Sequence, residues 1–136
     1  MDILFVDDMI SRHSIFRGLL PDGHNVTYVF SFEEAKEAIS TKTFDLVFLD
    51  HDLAEDHYGK DSADGQGTGY DIALLMVEKL ATQAKPLTVL IHTMNHVGSK
   101  RMLNVFLDSN KHNNTKFKAH ILTFGSSSFI QTVCRL

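Results

Sequence analysis

Apolar positions along the chain follow two alternating periods. Ile3-Leu4-Phe5-Val6 is an unbroken run of strand formers closed by Asp7-Asp8, the pattern of a short buried strand. Ile10, Ile15, Phe16, Leu19 and Leu20 then recur at near-helical spacing until Pro21-Asp22-Gly23 stops them. Asn25 to Phe30 predicts a second strand. Ser31-Phe32-Glu33-Glu34 reads as a capping box, with Ser31 capping a helix to about Ser40 and Glu34 reaching back. Phe44 to Leu49 is apolar except for Asp45, as expected of a central parallel strand buried on both faces. Tyr70 to Leu80 returns to a helical pattern, Leu87 to Ile91 to a strand, and Val97 to Leu107 to a helix carrying Met102, Val105 and Phe106. Asn110 to Thr115 reads as a polar turn and Phe117 to Phe124 as a fifth strand. Gly125-Ser126-Ser127-Ser128 leads into a short last helix with Phe129, Ile130 and Val133.

Strand and helix alternate throughout, which implies a parallel sheet covered by helices on both faces. The expected class is α/β, a doubly wound five-stranded parallel sheet in flavodoxin-like order 2-1-3-4-5. A chain of 136 residues without repeats, low-complexity tracts or linkers fits one domain over residues 1–136. One stretch breaks the pattern. His51 to Thr68 is polar, holds Gly59, Gly65 and Gly67, and has no hydrophobic period. A loop this long in a compact domain is usually functional, and a lid over a site is the expectation here.

Composition adds limits more than direction. Hydrophobic residues at 43% and charged residues at 22% are ordinary for a globular chain. The net charge of −4 disfavours extended DNA binding and leaves room for a basic rim on one pocket. Cys134 is the only cysteine, so no internal disulfide forms, which fits a reducing cytoplasm. No apolar run approaches the roughly 20 residues of a membrane span, and no basic, then apolar, secretion signal opens the chain.

The chemistry gathers at strand ends. Asp7 and Asp8 end strand one, and Asp50 ends strand three. In the expected order those strands are neighbours, and ligands bind beyond the carboxyl ends of such strands. Two carboxylates repel by about 4 kcal/mol at ~4 Å and an effective dielectric near 20, so a proton or a cation must relieve them. Oxygen ligands in this number suit Mg²⁺ or Mn²⁺. Taken singly, any one of these acids is as well read as a solvated loop residue, and Asp8 as a cap of the first helix. Taken together, they point to a metal site.

Phe5-Val6-Asp7-Asp8 and Phe44-Asp45-Leu46-Val47-Phe48-Leu49-Asp50 resemble the two acidic signatures of response-regulator receiver domains. The resemblance implies that the first pair helps hold Mg²⁺, that Asp50 accepts a phosphoryl group, and that Thr93 takes the switch Thr or Ser position. Two features depart from it: strand five ends Ile121-Leu122-Thr123-Phe124-Gly125-Ser126 without the family's Lys, and the loop after strand three is long. Three further segments resemble a narrower group, the cyclic-phosphate-processing receiver-like domains. They are Leu49-Asp50-His51-Asp52-Leu53, Gly67-Thr68-Gly69-Tyr70-Asp71 and His92-Thr93-Met94-Asn95-His96-Val97-Gly98-Ser99-Lys100-Arg101-Met102.

The residues themselves admit hydrolytic chemistry. His51 and His92 end adjacent strands beside the acids, and an imidazole can protonate a leaving alkoxide or deprotonate water. Either can equally be a hydrogen-bonded structural residue. Strand alternation turns His51 away from Asp50 and brings Asp52 back towards it as a further metal ligand. Asn95 can donate to a phosphate oxygen, and the backbone around Gly98 can open a helix as an anion site. Lys100 and Arg101 stand in that helix's first turn, against its dipole, which suggests anion contact. His96, His13, His24, His112 and His120 read as surface or structural, and the loop acids Asp56, Asp61 and Asp64 as solvated charge. The expected function is metal-dependent processing of a cyclic phosphate, on a small molecule or an RNA end, with catalysis by His92, His51 and Asp50. The rivals are a receiver phosphorylated on Asp50 and a non-catalytic module that binds a nucleotide or a protein.

Overall fold

Each apolar run becomes a strand and each amphipathic stretch a helix in the computed structural model, which describes residues 1–53, 67–80 and 84–136. The order is β1 (Asp2–Val6), α1 (Ile10–Leu19), β2 (Asn25–Val29), α2 (Phe32–Thr41), β3 (Leu46–Leu49), α3 (Gly69–Lys79), β4 (Thr88–Ile91), α4 (His96–Asn113), β5 (Lys118–Ile121) and α5 (Ser127–Cys134). The strands form one sheet, ordered β2-β1-β3-β4-β5, and every neighbouring pair is parallel.

Strand alternation divides the core. Leu4, Val6, Val47, Leu49, Val89 and Ile91 face one side, where they meet Ala35 and Ile39 of α2, Ile72 and Met76 of α3, and Met102 and Phe106 of α4. Ile3, Phe5, Leu46, Phe48 and Leu90 face the other, against Phe16 of α1 and Phe129 and Val133 of α5. Phe5 pairs with Tyr28 on one flank and Phe48 on the other, so the central strands are buried on both faces, as an all-parallel sheet requires.

Three departures from the sequence pattern have a physical reason. Helix α1 has Met9 at its N-cap, with no side-chain cap hydrogen bond among the described residues. Asp8 therefore does not cap it. Helix α4 runs six residues past Leu107 into the expected polar turn, to Asn113. Its polar residues are tethers: Asn110 Nδ2 donates to the Phe117 carbonyl at 2.7 Å and Asn110 Oδ1 accepts the Phe117 N–H at 2.9 Å. The helix ends at Asn114, in left-handed conformation with φ 55°. Strand β5 stops at Ile121, and the apolar run continues to Phe124 because Leu122 and Phe124 pack against the α1/α5 side of the core.

The capping box before α2 forms in part. Ser31 Oγ accepts the Glu34 N–H at 3.2 Å, and the Glu34 carboxylate meets the Ser31 hydroxyl, not its N–H. The expected lid over residues 51–68, with the loop acids Asp56, Asp61 and Asp64, falls mostly on 54–66, outside the described residues. Among the described residues no helix is long and apolar enough to cross a membrane.

Candidate metal and phosphate site

Sheet register builds the site. Val6 pairs with Leu49, and Leu49 with Ile91. The next residue on each strand therefore stands in one row at the carboxyl edge: Asp7, Asp50 and His92. The ladder holds them there, with Asp50 N–H donating to Val6 O and His92 N–H to Leu49 O, both at 3.1 Å. Asp8 follows Asp7 at the rim. Asp7, Asp8 and Asp50 each bring a carboxylate oxygen to within 4.8 Å of the others, and Asp7 and Asp50 are buried while Asp8 is half-buried.

The three carboxyls are held differently. Asp7 Oδ1 accepts the Met9 N–H at 2.8 Å, and Oδ2 accepts from His92 Nε2 at 2.9 Å and Arg12 Nη1 at 3.3 Å. Burial pushes the Asp7 carboxyl up, but the hydrogen bond and attraction from His92, with Met9 and Arg12, outweigh it and leave it below its usual value. Burial and the charge of Asp7 raise Asp8. Asp50 goes furthest: burial pushes it to about 6, against attraction from His92 and a hydrogen bond from Thr93. Two of the three, Asp8 and Asp50, thus stand above their usual values. A compact set of oxygen donors of this kind fits a hard divalent ion, which would favour the ionised form of all three.

His92 corrects an expectation. Its ring has no solvent exposure and lies in an aromatic cage. It stacks on Phe5 at 5.2 Å and 8° and meets Phe124 at 5.7 Å, Phe48 at 6.4 Å and Phe129 at 6.4 Å. Nε2 donates to Asp7 Oδ2, and among the described residues Nδ1 has no hydrogen-bond partner. A ring so enclosed cannot touch a substrate. His92 acts on the site through Asp7, by fixing where Oδ2 points.

His51 sits at the opposite side of the row, as alternation predicts. Its backbone N–H donates to Asp50 Oδ1 at 2.8 Å, and its ring Nδ1 lies 2.8 Å from Asp52 Oδ1. The carboxylate is acceptor only, so the proton is on Nδ1 and the lone pair of the neutral ring on Nε2. Asp52, expected as a metal ligand, is turned to His51 and lies outside the cluster of three. Asn95 caps α4: its Oδ1 accepts the Gly98 N–H at 2.8 Å, and its Nδ2 is 3.4 Å from His51 Nδ1. That N–H is thus committed and does not point at an anion. What Gly98 supplies is room, because a Cβ there would lie 2.6 Å from His51 Cδ2.

Thr93 is buried next to the row, and its Oγ1 accepts the Asn95 N–H at 3.1 Å. Lys100 is exposed on α4. Arg101 stacks over Tyr70 of α3 at 4.4 Å, a packing reason for its presence. His96 is exposed, as expected. His13 is buried, with Nε2 donating to the Asp7 carbonyl at 2.6 Å, so it supports the same strand end from below.

Arg12 is the residue the motifs miss. Its Nη1 lies 3.3 Å from Asp7 Oδ2 and 3.7 Å from Asp50 Oδ2. The signal was present: a cation in a helix's first turn opposes the dipole, the same reasoning that singles out Lys100 and Arg101.

Comparison with known proteins agrees with this geometry. The family model described as the cyclic-phosphate processing receiver domain matches residues 2–108. No curated protein matches the chain. Among solved structures, the phosphorylated cyanobacterial phytochrome response regulator RcpA superposes with a TM-score of 0.64 at 16% identity, over 98% of this chain and 89% of that one. The response regulator TrrA from Thermotoga maritima, in complex with Mg²⁺ and BeF, gives 0.61 at 18% identity, over 98% and 96%. The Mn²⁺-bound response regulator Rcp1 gives 0.61 at 14% identity, over 98% and 89%. At these identities the likeness is one of fold.

Proposed function

This chain belongs to the cyclic-phosphate processing receiver domains, and we propose that it carries out metal-dependent phosphoester chemistry on a cyclic phosphate, borne by a small molecule or an RNA end. The observation that carries the proposal is the pairing of two devices at one sheet edge. Three carboxylates lie within 4.8 Å of one another, and beside them stands a histidine whose Nδ1 lies 2.8 Å from the Asp52 carboxylate.

Asp7, Asp8 and Asp50 would hold Mg²⁺ or Mn²⁺, the ions named for two of the fold relatives. When bound, such an ion polarises a phosphoryl oxygen and lowers the pKa of a coordinated water. The remaining work falls to the chain. His51 exchanges a proton with water or the leaving oxygen through Nε2, while Asp52 fixes its tautomer and steadies the charged ring. His92 holds Asp7 in place. Asn95 keeps the start of α4 against His51 through its bond to Gly98, and its amide is available to a phosphate oxygen. Lys100 adds positive potential from the rim.

Purified protein with Mn²⁺ or Mg²⁺ is to be assayed on 2′,3′-cyclic nucleotides, 3′,5′-cyclic nucleotides and an RNA ending in a cyclic phosphate. Turnover is expected to need metal, to vanish in Asp50→Asn, and to fall about 10²–10⁴-fold in His51→Ala, the usual range for a general acid or base. No turnover on any of these substrates by protein that binds metal would sink the proposal.

A second reading is favoured by one neighbour, the buried Thr93, whose side chain favours the ionised form of Asp50, as suits a carboxylate that accepts a phosphoryl group. An acid-labile mass gain on Asp50 after incubation with a small phosphodonor, without ester turnover, would select it.

A further inference from the structure

The cation facing the acidic row belongs to no motif. Arg12 lies in the first turn of α1, its side chain 18% exposed, with one nitrogen between Asp7 and Asp50 at 3.3 and 3.7 Å. Its guanidinium carbon lies 5.2 Å from the centroid of the Phe124 ring. Phe124 lies three residues past the end of β5, and the sequence from Ile121 to Ser126 holds no cation. Arg12 thus brings positive charge, from a helix, to the sector that strand five leaves neutral.

The contacts are loose. Charge-assisted N–H···O bonds close to about 2.7–2.9 Å and arginine–carboxylate pairs favour a two-bond fork, whereas here a single nitrogen serves two carboxylates at longer range. A guanidinium has five donors, and of them only Nη1 approaches Asp7 and Asp50. Helix electrostatics give no reason for a cation at this position, so its partners must. The other cations near the site are differently placed: Lys100 is exposed on α4 and Arg101 stacks on Tyr70.

A divalent ion and a guanidinium compete for the same carboxylate oxygens. With Asp7 and Asp50 engaged by an ion, Arg12 would keep its place by the Phe124 ring and its fork would be unfilled. Planar, two-bond recognition of phosphate is what that fork does best. We propose that Arg12 is the phosphate anchor of this site: it neutralises Asp7 and Asp50 in the metal-free protein and passes to a phosphoryl oxygen once a metal ion is bound. The anchoring role rests on the reading of the site as one for phosphate esters. The competition with metal does not.

Calorimetry separates the two. Mg²⁺ is titrated into wild type, Arg12→Gln and Arg12→Lys, and inorganic phosphate and 2′,3′-cyclic AMP are then titrated into each Mg²⁺-saturated protein. Circular dichroism melts establish that the variants fold. Arg12→Gln is expected to bind Mg²⁺ several-fold more tightly, because a competing cation is gone, and phosphate at least tenfold more weakly. Arg12→Lys, which keeps the charge without the fork, is expected to hold Mg²⁺ as wild type does and to recover phosphate only in part. Equal phosphate affinity in wild type and Arg12→Gln overturns the proposal, as does wild-type Mg²⁺ protein that binds no phosphate. Turnover of cyclic phosphates without an Arg12 effect on binding defeats the anchor alone. An Arg12-dependent phosphate site without turnover defeats the phosphoesterase reading alone.

Discussion

At the scale of the residue, Asp50 shows how burial converts a carboxylate into a switchable ligand. Its carboxyl stands at about 6 in the fold, against about 3.9 in an unfolded chain. The folded protein therefore holds this proton more tightly than the unfolded chain. The group's contribution to stability is full below about pH 4 and is lost as pH rises through about 6. The difference between the two values corresponds to about 3 kcal/mol. Asp50→Asn, which cannot ionise, is thus expected to match wild type near pH 4 and to exceed it by up to about 3 kcal/mol at pH 7.5. Urea denaturation of metal-free protein at the two pH values, in chelator, checks this, and a stability difference independent of pH would refute it. Proton and metal compete for the same oxygens, so metal affinity should rise over the same interval. Neither the depth of this burial nor the enclosure of His92 was legible in the sequence. Leu49-Asp50 and Ile91-His92 look alike as strand ends. Yet the first carboxyl keeps Thr93 and Arg12 as neighbours, while the second side chain is sealed among Phe5, Phe48, Phe124 and Phe129. The first-turn position of Arg12 signals an anionic partner, and the docking of α1 on the sheet decides that the partners are Asp7 and Asp50.

At the scale of the element, the segment from Gly67 to Asp71 is a joint between the end of β3 and α3. The Gly67 and Thr68 N–H groups both donate to Asp71 Oδ2 at 3.0 Å, which fixes the start of the helix. Gly69 follows because the helix crosses the backbone of the β3 end. Its N–H donates to His51 O at 2.7 Å, and a Cβ there would overlap the Asp50 carbonyl oxygen and lie 2.7 Å from His51 Cα. Neither backbone atom can retreat without moving Asp50. Gly69→Ala is therefore expected to cost about 3 kcal/mol or more, the upper end of overpacking. At Gly98 the obstacle is a side chain, His51, with Asn95 Cγ at 3.0 Å. Gly98→Ala should cost about 1–2 kcal/mol of overpacking, partly offset by about 1 kcal/mol of helix propensity, while displacing His51 from Asp52. Chemical denaturation of the pair tests the ordering, and a Gly98→Ala protein less stable than Gly69→Ala would contradict it. Read as motif letters, these glycines looked like members of a chemical signature. The described structure gives both a packing reason: each lets a helix start press against the backbone or ring that follows Asp50.

At the scale of the molecule, the acidic row joins β1 to β3 across the middle of a five-stranded sheet, and the unfolded chain has no such cluster. An ion bound there should stabilise the whole fold by RT ln(1 + [L]/Kd), about 2.7 kcal/mol at a hundredfold excess over Kd. The urea midpoint is expected to rise with Mn²⁺, to return on chelation, and to respond less in Asp7→Asn. A midpoint indifferent to Mn²⁺ would count against the metal site. The order of elements, the parallel sheet and the acidic strand ends followed from the sequence alone, because a period of two or of 3.6 declares each element, and short alternating elements admit few topologies. Only the tertiary structure decided which neighbours those acids have. Register sets Asp7, Asp50 and His92 in one row. Helix docking delivers Arg12 to that row, and α4 presses His51 against Asp52. Local period carries no information on contacts between residues 85 positions apart, such as Asp7 and His92, and burial, charge pairing and tautomer all depend on such contacts.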